Sequence, residues 1–159
     1  MARLPDRFDL WVRKARASAY PARQVDLVLG ALVALTEVYF VNIGTKESPL
    51  ISRGKLESEE YALVFTDAER IAEFLAQNTG AGQELAAIAS PTVSALAWCK
   101  ENGFGVAINL SVAESAMVPA ATLAAFVEEW KQRGGREADG FWIPNMTTEE
   151  EDFWRENGL

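Results

Sequence analysis

Four polar residues stand where two strands are predicted to end, and their types could bind a ligand. Thr66 and Asp67 follow the apolar run at 61–65, and Asn109 and Ser111 close the apolar run that begins at Phe104. In open parallel sheets, ligands bind beyond the carboxyl ends of the strands. These four residues are therefore predicted to form a candidate ligand rim.

The Thr66-Asp67 step also has a purely structural interpretation. In the stretch TDAE, Thr66 is predicted to be the N-cap of a helix, with Glu69 as its capping-box partner. Asp67 adds negative charge where the helix dipole is positive. Because capping would already occupy the Thr66 hydroxyl, the structural interpretation is favoured over the ligand rim.

The chain has no histidine and one cysteine, Cys99. The lack of histidine excludes Ser-His and Cys-His nucleophilic catalysis and histidine-ligated zinc. Cys99 falls late in a predicted helix, away from the N-terminal positions that lower a thiol pKa, so a packed thiol is expected. A single cysteine cannot form an intrachain disulfide, which fits a reducing compartment and a cytoplasmic location. We therefore predict no catalytic residue, no metal and no cofactor.

Acidic residues are plentiful, so acid–base catalysis by carboxylates is a further hypothesis. Glu57, Glu59 and Glu60 precede a predicted strand, and residues 149–152 open a predicted helix, where negative charge is favoured anyway. Neither run has the alternating ligand spacing and turn glycine of a calcium loop. Both runs are therefore interpreted as solvated surface.

Aromatic residues give a hint of an interface near the C-terminal end of the sequence. The candidate interface residues are Phe141, Trp142, Phe153 and Trp154. Because Phe153 and Trp154 are adjacent, a helix cannot turn both of them fully inward, and tryptophan is enriched at interface centres. The alternative is that this tail folds back over the chain's own sheet or over the apolar helix at 25–35.

Net charge limits the choice of partner. The 159 residues carry a formal net charge of −8, which should repel phosphate backbones and argues against nucleic acid. Residues 1–23 nevertheless hold six basic side chains, which are Arg3, Arg7, Arg13, Lys14, Arg16 and Arg23. This basic arm could dock on the chain's own surface, on a sister subunit or on an acidic lipid face, and a solvated helix is the simplest alternative.

Apolar runs alternate with helical patterns along the chain, which predicts a single α/β or α+β domain with a central sheet of about four strands flanked by helices. The predicted strands are 37–43, 61–65, 84–89 and 104–110, and the predicted helices are 7–18, 21–35, 67–75, 91–103, 119–133 and a last one from Thr147 or Thr148. Ser90 is predicted to cap the fourth helix, with Pro91 as its first residue.

The domain is divided into a basic helical arm at 1–20, an α/β core at 21–133 and a Trp-rich helical tail at 134–159. The stretch between residues 44 and 60 is polar and contains glycine and proline, so it is predicted to be a surface loop. Asp26 and Glu37 interrupt the longest apolar stretch, which leaves too few residues to span a bilayer. We therefore predict no integral membrane segment.

Four motifs in the middle of the chain resemble the SseB N-terminal-domain family. They are LVFTDAERIAEFL at 63–75, SPTVSALAW at 90–98, GVAINLS at 105–111 and VPAATLAAFVEEW at 118–130. The resemblance covers about residues 25–131 and includes the Phe65-Thr66 step, but neither the basic leader nor the tail. It implies an α/β domain without assigned catalytic residues, in a family of bacterial accessory or interaction proteins with a link to secretion.

Three functions are compatible with these observations. The favoured hypothesis is a non-catalytic cytoplasmic accessory protein that binds a protein partner or a second copy of itself as a homodimer. The alternative is a small-molecule-binding domain with its site at the rim near Thr66 and Asn109. The third is an enzyme that uses carboxylates alone.

Overall fold

The structure is a computed structural model that describes residues 4–17, 21–78, 85–112, 114–132 and 143–158. Within these residues the chain forms a single mixed α/β domain, so the predicted fold class is confirmed. The described helices are α1 Leu4–Ala17, α2 Pro21–Val33, α3 Ala68–Asn78, α4 Thr92–Glu101, α5 Ala120–Gln132 and α6 Thr148–Gly158. The described strands are β1 Glu37–Asn42, β2 Arg53–Leu56, β3 Glu59–Phe65, β4 Ala86–Pro91, β5 Gly105–Ile108 and β6 Ala116–Val118.

One mixed sheet organises the domain, with the strand order β4-β1-β3-β5-β6 and β2 paired to part of β3. The β3–β5 pair is parallel, and the other pairs are antiparallel. Helix α3 covers one face of the sheet through Ile71, whereas α1, α2, α4 and α5 contribute to the larger hydrophobic core on the other face. None of the described helices combines the length and the apolar character that crossing a bilayer requires.

Strand β3 is buried on both faces. Ala62 and Val64 belong to the larger core, and Leu63 and Phe65 belong to the smaller core under α3. Because helices cover both faces, every side chain in this half of the strand is apolar, and the sequence reads as a continuous run rather than an alternation. Strand β3 and the parallel strand β5 therefore form the buried centre from which the candidate rim extends.

The sheet has six described strands rather than about four, because one of the two additional strands is mostly exposed and the other has only three residues. Strand β2 lies inside the stretch predicted to be a loop, and its four residues are largely exposed, so no hydrophobic run reveals it. It forms through a hairpin with β3, in which Glu57 takes a positive φ of 56° at the turn. Strand β6 has three residues and pairs only with β5.

Helix α4 begins one residue later than predicted, at Thr92 instead of Pro91. Ser90 and Pro91 belong to strand β4, where they pair with Val38 and Glu37, and Pro91 is the N-cap without a side-chain capping bond. Strand pairing with β1 therefore continues through the residues that were predicted to open the helix. The first residue of the helix, Thr92, donates its hydroxyl proton to the carbonyl of Leu35 at 2.6 Å.

The basic helix α1 docks on the chain's own body. Its side chains Phe8, Trp11 and Val12 are buried in the larger core. On its polar side, Arg16 forms an ion pair with Glu114 and donates to the backbone carbonyl of Ser115 at 2.5 Å. Of the alternatives for the basic arm, contact with the chain's own surface is the one that the structure contains.

Helix α6 begins with a capping box formed by Thr147 and Glu150. The Glu150 N–H donates to Thr147 Oγ1, and the Thr147 N–H donates to the Glu150 carboxylate, both at 3.1 Å. Among the four candidate interface aromatics, Phe153 packs edge-on against Trp11 with ring centroids 4.8 Å apart. Phe141 and Trp142 lie outside the described residues, as does the side chain of Trp154.

The packing of Phe153 leads to a prediction about the tail. Phe153→Ala should lower the free energy of unfolding by about 2 kcal/mol, because a half-buried aromatic side chain leaves Trp11. Urea denaturation would measure this loss, and sedimentation would show an unchanged molecular mass. A change in oligomeric mass without loss of stability would instead assign Phe153 to an interface between chains.

Candidate functional site

Thr66 and Asn109 follow the ends of the neighbouring parallel strands β3 and β5, and their side chains meet. The Thr66 N–H donates to Asn109 Oδ1 at 3.0 Å, and Asn109 Nδ2 donates to Thr66 Oγ1 at 3.0 Å. The Asn109 N–H donates to the carbonyl of Val64 at 2.9 Å. Thr66 is 3% exposed and Asn109 is fully buried. The two residues thus close the gap between the strand ends.

The predicted capping box of Thr66 and Glu69 is wrong, because helix α3 begins one residue later than expected. Asp67 is the capping residue, since its Oδ1 accepts the N–H of Arg70 at 2.7 Å and its carbonyl accepts the N–H of Ile71 at 3.3 Å. Capping therefore does not occupy the Thr66 hydroxyl, which is free to turn towards Asn109 on the next strand.

Arg70 joins these groups into one polar network. Its Nη1 donates to Thr66 Oγ1 at 2.7 Å, and its Nε lies 3.4 Å from Asp67 Oδ2. Its Nη2 forms an ion pair with Asp9 of helix α1 at 2.5 Å. The Arg70 side chain is 12% exposed, so these bonds form in a partly desolvated place where charged hydrogen bonds are strong.

Asp9 is the member of the network with the least complete set of partners. Burial raises the pKa of Asp9 above its usual range, although the positive charge of Arg70 opposes that rise. Its Oδ1 is buried, and no residue that the structure describes hydrogen-bonds to this atom. Within the described part of the chain, Asp9 Oδ1 is therefore an acceptor of the network that no protein donor satisfies.

The structure places the four predicted rim residues unequally. Thr66, Asp67 and Asn109 belong to the network, whereas Ser111 is exposed. Ser111 resembles Asn109 only in its left-handed backbone conformation, with φ 65° for Ser111 and 54° for Asn109. Sequence reasoning missed Arg70 and Asp9. The first follows Thr66 by one helical turn, which is a usable signal, but nothing in the sequence connects Asp9 with residues so far along the chain.

The two acidic runs are engaged by neighbouring side chains. Glu59 accepts the hydroxyl proton of Tyr61 at 2.9 Å, and Glu60 pairs with Arg53 at 3.3 Å. In helix α6, Arg155 pairs with the acidic run at 151–152. Across the described ranges, no cluster of three or more acidic or cysteine side chains has the arrangement of a metal site.

Cys99 is fully buried in helix α4, and burial raises the pKa of its thiol to about 12. A thiol with that pKa carries almost no thiolate at neutral pH, and the thiolate is the nucleophilic form. The expectation of a packed thiol agrees with this environment.

The raised pKa of Cys99 predicts a dependence of stability on alkaline pH. The unfolded thiol loses its proton near pH 9 and the folded thiol near pH 12, so protonation stabilises the folded state below pH 9. That stability should be lost between pH 9 and 12, at about 1 kcal/mol per pH unit. Urea denaturation of the unmodified chain and of Cys99→Ala should give a difference in stability that shrinks across this window. A constant difference would contradict the assigned environment.

A second surface feature is the outer edge of the sheet at strand β4. This strand pairs with β1 on one side, and no described strand pairs with it on the other. Its residues Ala86, Ala87, Ala89 and Pro91 are exposed, and it carries no charged side chain. An open edge of this kind presents unpaired backbone N–H and C=O groups to another chain.

Known proteins supply no further guide to the role of either feature. No family model, no curated protein and no solved structure matches this chain.

Proposed function

We propose that this protein is a non-catalytic accessory protein of the SseB-like type, which acts in the bacterial cytoplasm by binding another protein chain. The resemblance of residues 25–131 to the SseB N-terminal-domain family supports this proposal and adds a link to secretion. The observation that carries it is the use of the polar groups at the strand ends. Thr66, Asn109 and Arg70 bond to one another, so they hold strands and helices together rather than face an open cleft.

The open edge of β4 supplies the surface for such binding. Backbone groups at a sheet edge give affinity to an extended partner segment, as in proteins that recognise partners by adding a strand. The alanines at 87 and 89 are exposed and small, so a partner strand can approach to the spacing of a sheet. Binding therefore needs no reactive side chain, in keeping with a non-catalytic role.

Photo-crosslinking inside the cell that naturally makes this protein tests this proposal. A photo-reactive phenylalanine analogue in place of Ala89 should give covalent adducts with protein on illumination. The same analogue in place of Ala125, an exposed alanine of helix α5, is the matched control and should give none. Equal adduct formation at both positions, or none at Ala89, would contradict a binding role for this edge.

Ligand binding at the rim is the second candidate, and one observation favours it. Asp9 Oδ1 is a buried acceptor without a described hydrogen-bond partner, next to the guanidinium of Arg70. A small hydrogen-bond donor such as an amine would suit this oxygen. A thermal-shift screen of amines against the unmodified chain and Asp9→Asn tests it, because only the unmodified chain should be stabilised. Equal shifts for both chains would refute a site at Asp9.

A further inference from the structure

We infer that the partner at the β4 edge is a second copy of this chain, which pairs antiparallel across a twofold axis and joins the two sheets into one. This inference rests on the proposed function and deepens it by naming the partner and the register.

Hydrogen bonding fixes which residues of β4 face outward. The N–H of Thr92 donates to the carbonyl of Thr36, in the same antiparallel register that pairs Phe40 with Ile88. Residues that bond to one neighbour alternate with residues that bond to the other side. The even-numbered residues of β4 therefore bond to β1, and Ala87 and Ala89 turn their N–H and C=O groups towards the open edge.

The opposite side of β1 confirms this alternation. The carbonyl of Val41 accepts the N–H of Ser52, and the N–H of Ile43 donates to the carbonyl of Leu50. The odd-numbered residues of β1 thus bond away from β4, as the alternation requires. No other described residue hydrogen-bonds to the outward backbone groups of Ala87 and Ala89.

The other margins of the sheet carry features that oppose pairing with another chain. Strand β2 presents Arg53 and Lys55, and charged side chains are a common protection of sheet edges. Strand β6 has only three residues, and Arg16 binds the carbonyl of Ser115 directly before it. Strand β4 has six residues without a charge, and its proline stands at the last position. It is the described margin with the least protection.

A second copy is the occupant that fits this margin. The exposed side chains of β4 are three alanines and a proline, which form no pockets for the side chains of a foreign segment, and such pockets provide the specificity of strand addition. An antiparallel edge is complementary to itself under a twofold rotation, so both copies use the same surface. Two chains that each carry a net charge of −8 repel each other. Because β4 is uncharged, two copies can pair along it without placing like charges opposite each other on the paired strands.

One register allows the outward backbone groups of Ala87 and Ala89 to bond to those of the second copy. With the twofold axis at Ile88, Ala87 of one copy lies opposite Ala89 of the other, and each pair exchanges two N–H to C=O bonds. Ile88 then faces Ile88 of the second copy on the face of the larger core, where Phe40 is its neighbour within the chain. The interface would therefore continue that apolar face across the axis.

Analytical ultracentrifugation of the full chain over a wide range of concentration tests the dimer. The unmodified chain should show a monomer–dimer equilibrium. The double variant Ala87→Lys, Ala89→Lys should weaken dimerisation at least tenfold, because it puts positive charges opposite each other. The control Ala125→Lys adds the same kind of charge on exposed helix α5 and should leave dimerisation unchanged. A monomer at every concentration, or a dimer that the double variant does not weaken, would overturn the inference.

Disulfide trapping tests the register in the same chain. Ile88→Cys should form a disulfide-linked dimer on mild oxidation, because non-hydrogen-bonded partners across an antiparallel pair bring Cβ atoms within disulfide reach. Ala86→Cys is the matched control and should not, since its counterpart lies on the far side of the axis. Cys99 is buried and should not interfere. Trapping through Ala86 instead of Ile88 would overturn this register.

Crosslinking from Ala89 separates this inference from the proposed function. Adducts with twice the mass of the chain support the second copy. Adducts with a different protein, from a chain that stays monomeric when purified, refute self-pairing and leave the proposed binding role standing. An absence of adducts refutes both.

Discussion

Asn109→Ala should lower the free energy of unfolding by about 2–5 kcal/mol, a large part of the total stability of a typical domain. The substitution leaves the buried N–H of Thr66 without its acceptor, and an unsatisfied buried group costs about 1–3 kcal/mol. It also forces alanine into a left-handed backbone at φ 54°, which costs about 1–2 kcal/mol more. Urea denaturation followed by circular dichroism would measure the sum.

Asn109→Gly is the control that separates the two causes. Glycine adopts φ 54° without a steric penalty, but it loses the same bonds to Thr66. It should therefore be destabilised by about 1 kcal/mol less than the alanine variant. If Asn109→Ala unfolded within about 1 kcal/mol of the unmodified chain, the Thr66–Asn109 pair would not be structural, and a ligand-binding role for the rim would gain support.

Gly105→Ala should cost about 3 kcal/mol or more, because strand β5 has no room for a methyl group at this position. A Cβ atom there would lie 2.3 Å from the carbonyl oxygen of Val118 and 2.9 Å from the ring of Tyr61. The first neighbour is backbone of β6 and can yield only if the strand moves. The expected result is a large fall in melting temperature together with weaker hydrogen-exchange protection along β6.

Gly54→Ala is the matched control in the same sheet. The nearest atom to its added Cβ is Leu63 Cδ2 at 3.9 Å, an ordinary contact distance. Alanine also restricts the unfolded chain, so this variant should be neutral or more stable by up to about 1 kcal/mol. Equal destabilisation of the two variants would show that loss of glycine flexibility, and not the clash with β6, explains the result.

The elements that could be predicted are those whose side chains carry a strong apolar pattern. Strand β3 and helix α3 are predictable because the apolar run at 61–65 and the apolar helical stripe through Ile71 both consist of side chains that the fold buries. Strand β2 could not be recognised because its pairing is a matter of backbone bonds, and its side chains lie mostly in solvent. The hydrophobic pattern of a sequence reveals elements that bury apolar side chains, and a short exposed strand buries almost none.

The candidate site was predictable only in part, for a related reason. Strand ends placed Thr66 and Asn109 on one rim, and the structure joins them by hydrogen bonds. The predicted capping box at Thr66 does not form because that hydroxyl bonds across the sheet to Asn109, whereas the Thr147 hydroxyl accepts the N–H of Glu150 and caps helix α6. A local sequence pattern cannot show which of two hydrogen-bond partners a side chain will take when one of those partners is distant along the chain.

The contact between Trp11 and Phe153 joins helices from opposite ends of the described chain. During synthesis, Trp11 lacks this neighbour until after the last described strand, which ends at Val118, has left the ribosome. An early helix whose aromatic face lacks its last cover is a natural binding site for a chaperone. A nascent chain that is stalled before residue 153 has emerged should therefore still bind chaperones through the exposed face of α1.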